Sequence, residues 1–198
     1  MDQRTANPSG AAIGSLPNVL TYARIAAVPA VFLCLMMGSG AAGRWWALLI
    51  YVAACITDWL DGYLARVWQQ QSTLGRMLDP IADKLLVGIT LLTLTHDATI
   101  SGIHVGAAAI ILCREILVSG LREFLAELNV RVHVTQLAKW KTTLQMIALG
   151  ILVAGPAGDQ VVRGVTVIGL AMLWIAALLT LWTGYDYLKS AVRTAIER

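Results

Sequence analysis

The chain has 198 residues, of which 58% are hydrophobic and only 14% are charged, and its formal net charge is +3. A soluble domain usually carries about 25% charged and about 45–50% apolar residues, so this chain has more apolar surface than a soluble core of its size could bury. No dense basic run points to nucleic acid. The three cysteines lie singly in apolar runs, which argues against a disulfide framework and against a zinc site.

Six apolar segments follow one another along the chain, after a polar stretch that we interpret as a cytosolic tail (residues 1–15). They cover residues 18–38, 44–67, 79–95, 102–126, 134–155 and 164–188. A helix needs about 20 apolar residues to cross the hydrocarbon, and such long, unalternating runs exclude barrel strands. The sequence therefore predicts an all-α, polytopic membrane protein, in which residues 16–198 form one domain of six transmembrane helices.

Proline and glycine mark several of the predicted boundaries. Pro17 is in the first turn of the first segment, a position that helices tolerate, and Gly38-Ser39-Gly40 closes that segment. Asp79-Pro80 is predicted to begin the third segment, and Gly155-Pro156 to end the fifth.

The basic residues are unevenly divided between the two sides of the predicted membrane. With six spans, thirteen of the 15 lysines and arginines fall on or near the side of both termini, and only Arg44 and Arg163 fall on the other. This bias predicts that both termini are cytosolic.

Four aspartates interrupt the apolar pattern where the second and third segments approach the cytosol. Asp58 and Asp61 are three residues apart, and Asp79 and Asp83 are four apart. Both spacings place the paired side chains on one helical face. The polar link between the segments reverses the chain, so we expect the four carboxylates to converge at one depth.

Such a cluster is unfavourable unless cations compensate it. One aspartate at the bilayer centre costs about 2.5–3.5 kcal/mol on insertion scales, and neighbouring like charges add to this. Arg66 and Lys84 bring two positive charges to four carboxylates. The cluster therefore predicts divalent cations, two fitting better than one, of a kind that prefers carboxylate oxygen, such as Mg²⁺, Mn²⁺ or Ca²⁺. The alternative, four solvated acids at a membrane edge, does not explain the neighbouring Gly and Ala.

The aspartates belong to a longer pattern of fixed spacing. Its fixed positions are Asp58, Asp61, Gly62, Ala65, Arg66, Gly75, Asp79 and Asp83. At every one of them the chain resembles the signature of the CDP-alcohol phosphotransferases. That family has six spans with the signature on spans two and three, so the resemblance extends over nearly the whole chain.

The resemblance implies a reaction in which an alcohol oxygen attacks the lipid-side phosphate of a CDP-linked lipid and CMP leaves. It implies two Mg²⁺ or Mn²⁺ ions held by the four aspartates, with Asp83 as the base that takes the alcohol proton. It also implies that Gly62, Ala65 and Gly75 leave room for the cytidine and its ribose, and that Arg66 binds the pyrophosphate.

A basic cluster on the fourth and fifth segments indicates the class of the alcohol. It consists of Arg114, Arg122, Lys139 and Lys141 near the cytosolic ends. Grouped arginines and lysines favour phosphate, so we expect a phosphorylated small alcohol. The alternative is ordinary flanking of membrane spans by positive charge, and Glu115 is then explained by pairing with Arg114 or Arg122.

The fourth and fifth segments, together with residues 16–25, resemble the family members that use sn-glycerol 3-phosphate. This implies that the donor is CDP-diacylglycerol, that the products are phosphatidylglycerophosphate and CMP, and that Asn18, Thr21 and Arg24 line the headgroup pocket. It further implies a homodimer in the bacterial inner membrane with its active site facing the cytosol.

Two other functions fit parts of the pattern. The first keeps the chemistry but uses serine, inositol phosphate or phosphatidylglycerol as the acceptor. The second is a divalent-cation transporter. Two observations argue against it: the acids lie near one membrane face, and there is no second, inverted acidic half.

Overall fold

The computed structural model describes residues 16–38, 40–68, 73–127 and 136–196. Within these ranges the chain forms only α-helices: α1 (Leu16–Met37), α2 (Gly40–Trp68), α3 (Thr73–His96), α4 (His104–Glu127), α5 (Gln136–Asp159) and α6 (Val165–Ile196). The predicted all-α class is confirmed for this part of the chain. The predicted cytosolic tail, residues 1–15, lies outside the described residues.

Four of the helices are long and apolar enough to cross a membrane. The qualifying stretches are Asn18–Met37, Gly40–Leu60, His104–Leu125 and Val165–Tyr185. The helices α3 and α5 are not among them, and these two carry Asp79, Asp83 and Lys141. The membrane character expected from composition is therefore concentrated in α1, α2, α4 and α6.

The third helix begins earlier than its proline suggests. It starts at Thr73, and Pro80 lies inside it instead of in its first turn. Proline is favoured in a first turn because its missing N–H needs no partner there. Inside a helix it removes one backbone hydrogen bond, but α3 continues through Pro80. The prediction that Asp79-Pro80 begins the helix is wrong, and both aspartates lie well inside α3.

The helices form two groups of three. In one group α1 packs against α2 and α3, and in the other α6 packs against α4 and α5. The main contact between the groups joins α2 to α5, where the buried Tyr51 donates a hydrogen bond to the carbonyl of Met146 at 3.2 Å. Gly150 lies beside the same ring, since an added Cβ would stand 3.5 Å from it. Residues of α2 and α3 therefore face residues of α4 and α5 across one interface between the two helix groups.

The fifth helix is kinked at the predicted boundary. Gly155 has φ 38° and ψ −121°, and one more turn follows to Asp159. Pro156 has no N–H for the carbonyl of Leu152, four residues earlier. Arg44 of α2 donates to that carbonyl at 3.4 Å and to the carbonyl of Val153 at 3.2 Å. A side chain from the other group thus satisfies the backbone that the kink releases.

Arg44 also pairs with the loop after α3. Its Nη2 lies 2.5 Å from Asp97 and 2.7 Å from the hydroxyl of Thr99. Replacing Arg44 by alanine is expected to lower the free energy of unfolding by about 1–3 kcal/mol, because several partly buried acceptors lose their donor together. Chemical unfolding in detergent, followed by tryptophan fluorescence, measures the change.

The matched control for this prediction is Arg163→Ala. Arg163 is an exposed arginine of the link before α6, and exposed charges contribute little to stability. If both alanine variants unfold at the same denaturant concentration, the Arg44 contacts do not stabilise the interface between the two helix groups.

Asp159 caps the start of α6. One oxygen of its carboxylate accepts a hydrogen bond from the backbone N–H of Thr166 at 3.1 Å, and the other accepts from the Thr166 hydroxyl at 2.6 Å. These bonds hold the pKa of Asp159 below its ordinary value of 3.8. Because the folded pKa is depressed, the cap stabilises the fold above that ordinary value and weakens as the pH falls through the lower folded pKa.

Candidate active site

One face of α1 brings three buried polar side chains to the aspartates. Asn18, Thr21 and Arg24 recur every three residues, and their exposed fractions are 2%, 1% and 1%. The Nη1 atom of Arg24 lies 2.8 Å from Oδ1 of Asp58 on α2 and 3.1 Å from Oδ1 of Asp83 on α3. Two carboxylates from different helices therefore converge on one guanidinium nitrogen.

Helix α1 also contacts Asp79 of α3. The hydroxyl of Thr21 donates a hydrogen bond to Oδ1 of Asp79 at 2.5 Å. Arg24 and Thr21 were predicted to line a headgroup pocket, and in the structure both contact carboxylates that line a cavity. Arg24 is thus a counter-cation shared by Asp58 and Asp83, and the spacing of the aspartates did not predict this contact.

The three aspartates share a cavity of about 730 Å³ between the two helix groups. Asp58, Asp79, Asp83 and Lys84 form one wall of it, and residues of α4 and α5 form the other. The backbone of α2 continues past Asp58, but the structure describes only the backbone, not the surroundings, of Asp61, Gly62, Ala65 and Arg66. Gly75 is buried in α3 and is not among the described residues that line the cavity.

The described carboxylates fit an oxygen-ligated divalent cation in kind but do not yet enclose one. Among the residues with described side chains, no three His, Cys, Asp or Glu groups come close enough to hold one ion together. Arg24 stands where Asp58 and Asp83 meet, and Asp61, the fourth acid, is outside the described set. The Asp58 and Asp83 side chains are 37% and 42% exposed, so both carboxylates are accessible from the cavity.

The opposite wall of the cavity is basic and contains one acid. Lys141 of α5 is 2% exposed, and its Nζ lies 2.6 Å from Oε1 of Glu115 on α4. Arg114 approaches the same oxygen at 3.3 Å. Arg122 also lines the cavity, whereas the side chain of Lys139 lies outside the described residues. Glu115 therefore pairs with Arg114, as the sequence suggested, and with Lys141, which it did not.

The sixth helix supports this wall. Nη2 of Arg114 donates to the hydroxyl of Thr183 at 3.4 Å. A Cβ added to the next residue, Gly184, would stand 3.1 Å from Cγ of Arg114, so the arginine crosses α6 where the helix has no side chain. No motif marked Thr183 or Gly184 in the sequence, because a Thr-Gly pair in an apolar helix has no distinctive spacing.

An apolar groove between α2 and α5 adjoins the polar cavity. It encloses about 550 Å³ and shares Cys55, Trp59, Met146 and Ile147 with the cavity. Trp59 and Ile147 are 68% and 50% exposed, so the groove opens on the outer surface of the bundle. A polar compartment and an apolar one thus meet at a single boundary.

Comparison with known proteins finds sequence similarity over most of the chain. The profile of the family described as CDP-alcohol phosphatidyltransferase matches residues 14–182. A Rickettsia bellii protein named CDP-diacylglycerol–glycerol-3-phosphate 3-phosphatidyltransferase is 49% identical over 176 residues, which cover 89% of this chain and 94% of that protein. Proteins of the same name from Cereibacter sphaeroides and Pectobacterium atrosepticum are 39% and 40% identical, over 90% and 92% of this chain and 96% and 98% of theirs.

Proposed function

We propose that this chain, which belongs to the CDP-alcohol phosphatidyltransferase family, moves a phosphatidyl group from CDP-diacylglycerol to sn-glycerol 3-phosphate. The products are phosphatidylglycerophosphate and CMP. The observation that carries the proposal is that an acidic wall and a basic wall face each other across one cavity. The first suits metal-assisted phosphoryl transfer, and the second suits a phosphorylated acceptor.

In the proposed reaction, the primary hydroxyl of the acceptor forms a bond to the lipid-side phosphorus as the bond from that phosphorus to the CMP oxygen breaks. Asp83 takes the hydroxyl proton. Asp58, Asp61, Asp79 and Asp83 would hold two Mg²⁺ or Mn²⁺ ions, which when bound offset the negative charge of the phosphoryl oxygens. Thr21 fixes the orientation of Asp79 by its hydrogen bond.

The basic wall is proposed to bind the phosphate of glycerol 3-phosphate. Arg114, Arg122, Lys139 and Lys141 are its candidates. Glu115 holds the ammonium of Lys141 through one of its three N–H donors, which leaves the others for the ligand. The same carboxylate and Thr183 fix Arg114, so the cations are oriented before the acceptor binds.

The remaining signature positions are proposed to serve the donor. Gly62, Ala65 and Gly75 leave space for cytidine and ribose, and Arg66 binds the pyrophosphate. Asn18 and Thr21 close this region from α1, where both are buried.

The proposed placement is in the bacterial inner membrane, as a homodimer. All six helices cross it, residues 16–198 form one domain, and both termini and the cavity face the cytosol. The support is the distribution of basic residues, since only Arg44 and Arg163 fall on the far side. In this proposed placement the cavity lies where CDP-linked lipid and soluble acceptor meet.

The acceptor assay tests the function. Purified protein with Mg²⁺ or Mn²⁺, CDP-diacylglycerol and labelled glycerol 3-phosphate is expected to release CMP and form labelled lipid. Serine, inositol phosphate and phosphatidylglycerol, each tested in its place, are expected to give no product. Release with one of these and none with glycerol 3-phosphate assigns a different acceptor. No release, together with flux of divalent ions into proteoliposomes, would favour a transporter.

Lys141→Met is expected to raise the KM for glycerol 3-phosphate at least tenfold, because a buried charged hydrogen-bond donor is lost from the phosphate site. The KM for CDP-diacylglycerol should stay within about twofold. Initial rates of CMP release at varied acceptor and donor measure both constants. The control is Lys189→Met, an exposed lysine of α6, and equal constants in the two variants would remove Lys141 from the acceptor site.

A further inference from the structure

A buried carboxamide in the cavity has an oxygen without a partner among the described residues. Gln145 of α5 is 2% exposed and lines the cavity between the acidic and basic walls. Its Oε1 atom is buried, and no donor among the described residues lies within hydrogen-bond distance of it. Buried polar atoms are nearly always paired, so an acceptor left open at a ligand cavity indicates a ligand that donates to it.

Two other buried oxygens with described surroundings are also unpaired, and they differ from Gln145 in position. They are the hydroxyls of Thr90 and Thr180, and neither residue is among those that line the cavity. Gln145 is thus the described residue that combines an open acceptor with access to the cavity.

The position of Gln145 relates it to the phosphate side of the cavity. It follows Lys141 by four residues on the same helix, so both side chains lie on one face, about 6 Å or just over one turn apart along the axis. The neighbouring Met146 and Ile147 belong to the boundary with the apolar groove. The carboxamide therefore lies one turn deeper in the bundle than the ammonium.

We propose that Gln145 is a specificity-determining residue that accepts a hydrogen bond from the C2 hydroxyl of the acceptor. The inference rests on the proposed function and deepens it. The acceptor has two hydroxyls, and the primary one must lie at the aspartates to be deprotonated. The C2 hydroxyl, a few bonds from the phosphorus, remains to be recognised. With the phosphate bound at Lys141, the carboxamide oxygen of Gln145, about one helical turn away, is suited to accept a hydrogen bond from the C2 hydroxyl.

The test compares two acceptors on the same enzyme. The probe is 3-hydroxypropyl phosphate, which has the phosphate and the primary hydroxyl of glycerol 3-phosphate but lacks the C2 hydroxyl. Native protein is expected to use it with a kcat/KM at least tenfold lower, because the carboxamide is then left unpaired. Gln145→Met keeps the length of the side chain but removes the carboxamide oxygen. In this variant the kcat/KM values for the two substrates are expected to differ by less than threefold.

A ratio of two rates on one preparation does not depend on how much of the protein is folded. Gln145→Glu provides the matched control, because it restores an oxygen acceptor at the same length. It is expected to keep the discrimination against 3-hydroxypropyl phosphate even if its added charge lowers both rates. Loss of discrimination in Gln145→Met together with its retention in Gln145→Glu supports the assignment.

Three results would overturn the inference. The first is equal use of both acceptors by the native protein, which needs no variant to measure. Gln145→Met could keep the full native discrimination. Gln145→Met could instead raise the KM for CDP-diacylglycerol with the acceptor ratio unchanged, which would place Gln145 at the donor. Absence of CMP release with glycerol 3-phosphate in the native protein is a separate outcome, because it contradicts the proposed function itself.

Discussion

Asp83→Asn is expected to lower the turnover number by about 10³-fold or more. The substitution keeps the size of the side chain but removes the charge and the proton acceptor. Loss of a positioned base alone costs about 10²–10⁴-fold, and the loss of one carboxylate from the proposed metal site adds to it. CMP release at saturating CDP-diacylglycerol, glycerol 3-phosphate and Mg²⁺ measures the effect.

The matched control is Asp159→Asn. Asp159 lies at the end of α5, where it caps α6, and an asparagine oxygen can accept the same backbone hydrogen bond. Its turnover number should stay within about twofold of the native value. A turnover number of Asp83→Asn that also stays within tenfold of native would exclude Asp83 as the base.

Arg24→Met is expected to lower the free energy of unfolding by about 3 kcal/mol in the absence of divalent ions. Removing one partner from a buried ion pair costs about 3–5 kcal/mol, and the lower end applies because Asp58 and Asp83 are partly exposed while Arg24 is not. The two carboxylates would then face each other without their shared cation. Chemical unfolding in detergent with EDTA measures the loss.

Divalent ions provide the second half of this experiment. If the carboxylates form the proposed metal site, Mg²⁺ or Mn²⁺ should stabilise Arg24→Met more than the native protein, because the ion takes over the compensation of charge. Arg163→Met, which changes an exposed arginine, serves as control and should match the native protein in both conditions. Equal stability of Arg24→Met and Arg163→Met in EDTA would show that Arg24 does not compensate the acids.

The sequence pattern predicted that Asp58 and Asp83 converge, but not the side chain that joins them. The spacing of Asp58 and of Asp83 placed both on the faces of neighbouring helices, and the structure joins them through one nitrogen. The arginine that joins them could not be identified in this way, because it precedes Asp83 by 59 positions and meets it only through the packing of α1 on α2 and α3. Local spacing contains no information about a third helix.

The wrong helix boundary predicted at Pro80 has a similar cause. Pro80 was interpreted by its preference for a first turn, but the residues before it continue the helix to Thr73. At Gly155 the same kind of signal was correct, because the positive φ of glycine allows a kink there. The open acceptor of Gln145 was invisible in sequence, since a polar residue in a span reveals its missing partner only when its surroundings are known.

The shared boundary between the apolar groove and the polar cavity has a consequence for energetics. A two-tailed molecule can place its headgroup among the charges while its tails stay in the groove, which opens on the outer surface of the bundle beside Trp59 and Ile147. Exposing hydrocarbon to water costs about 0.8 kcal/mol for each methylene. With the tails in the groove, the proposed reaction would not move them into water, so this cost would not enter the activation barrier. The lipid product could then diffuse sideways into the leaflet from which its precursor came.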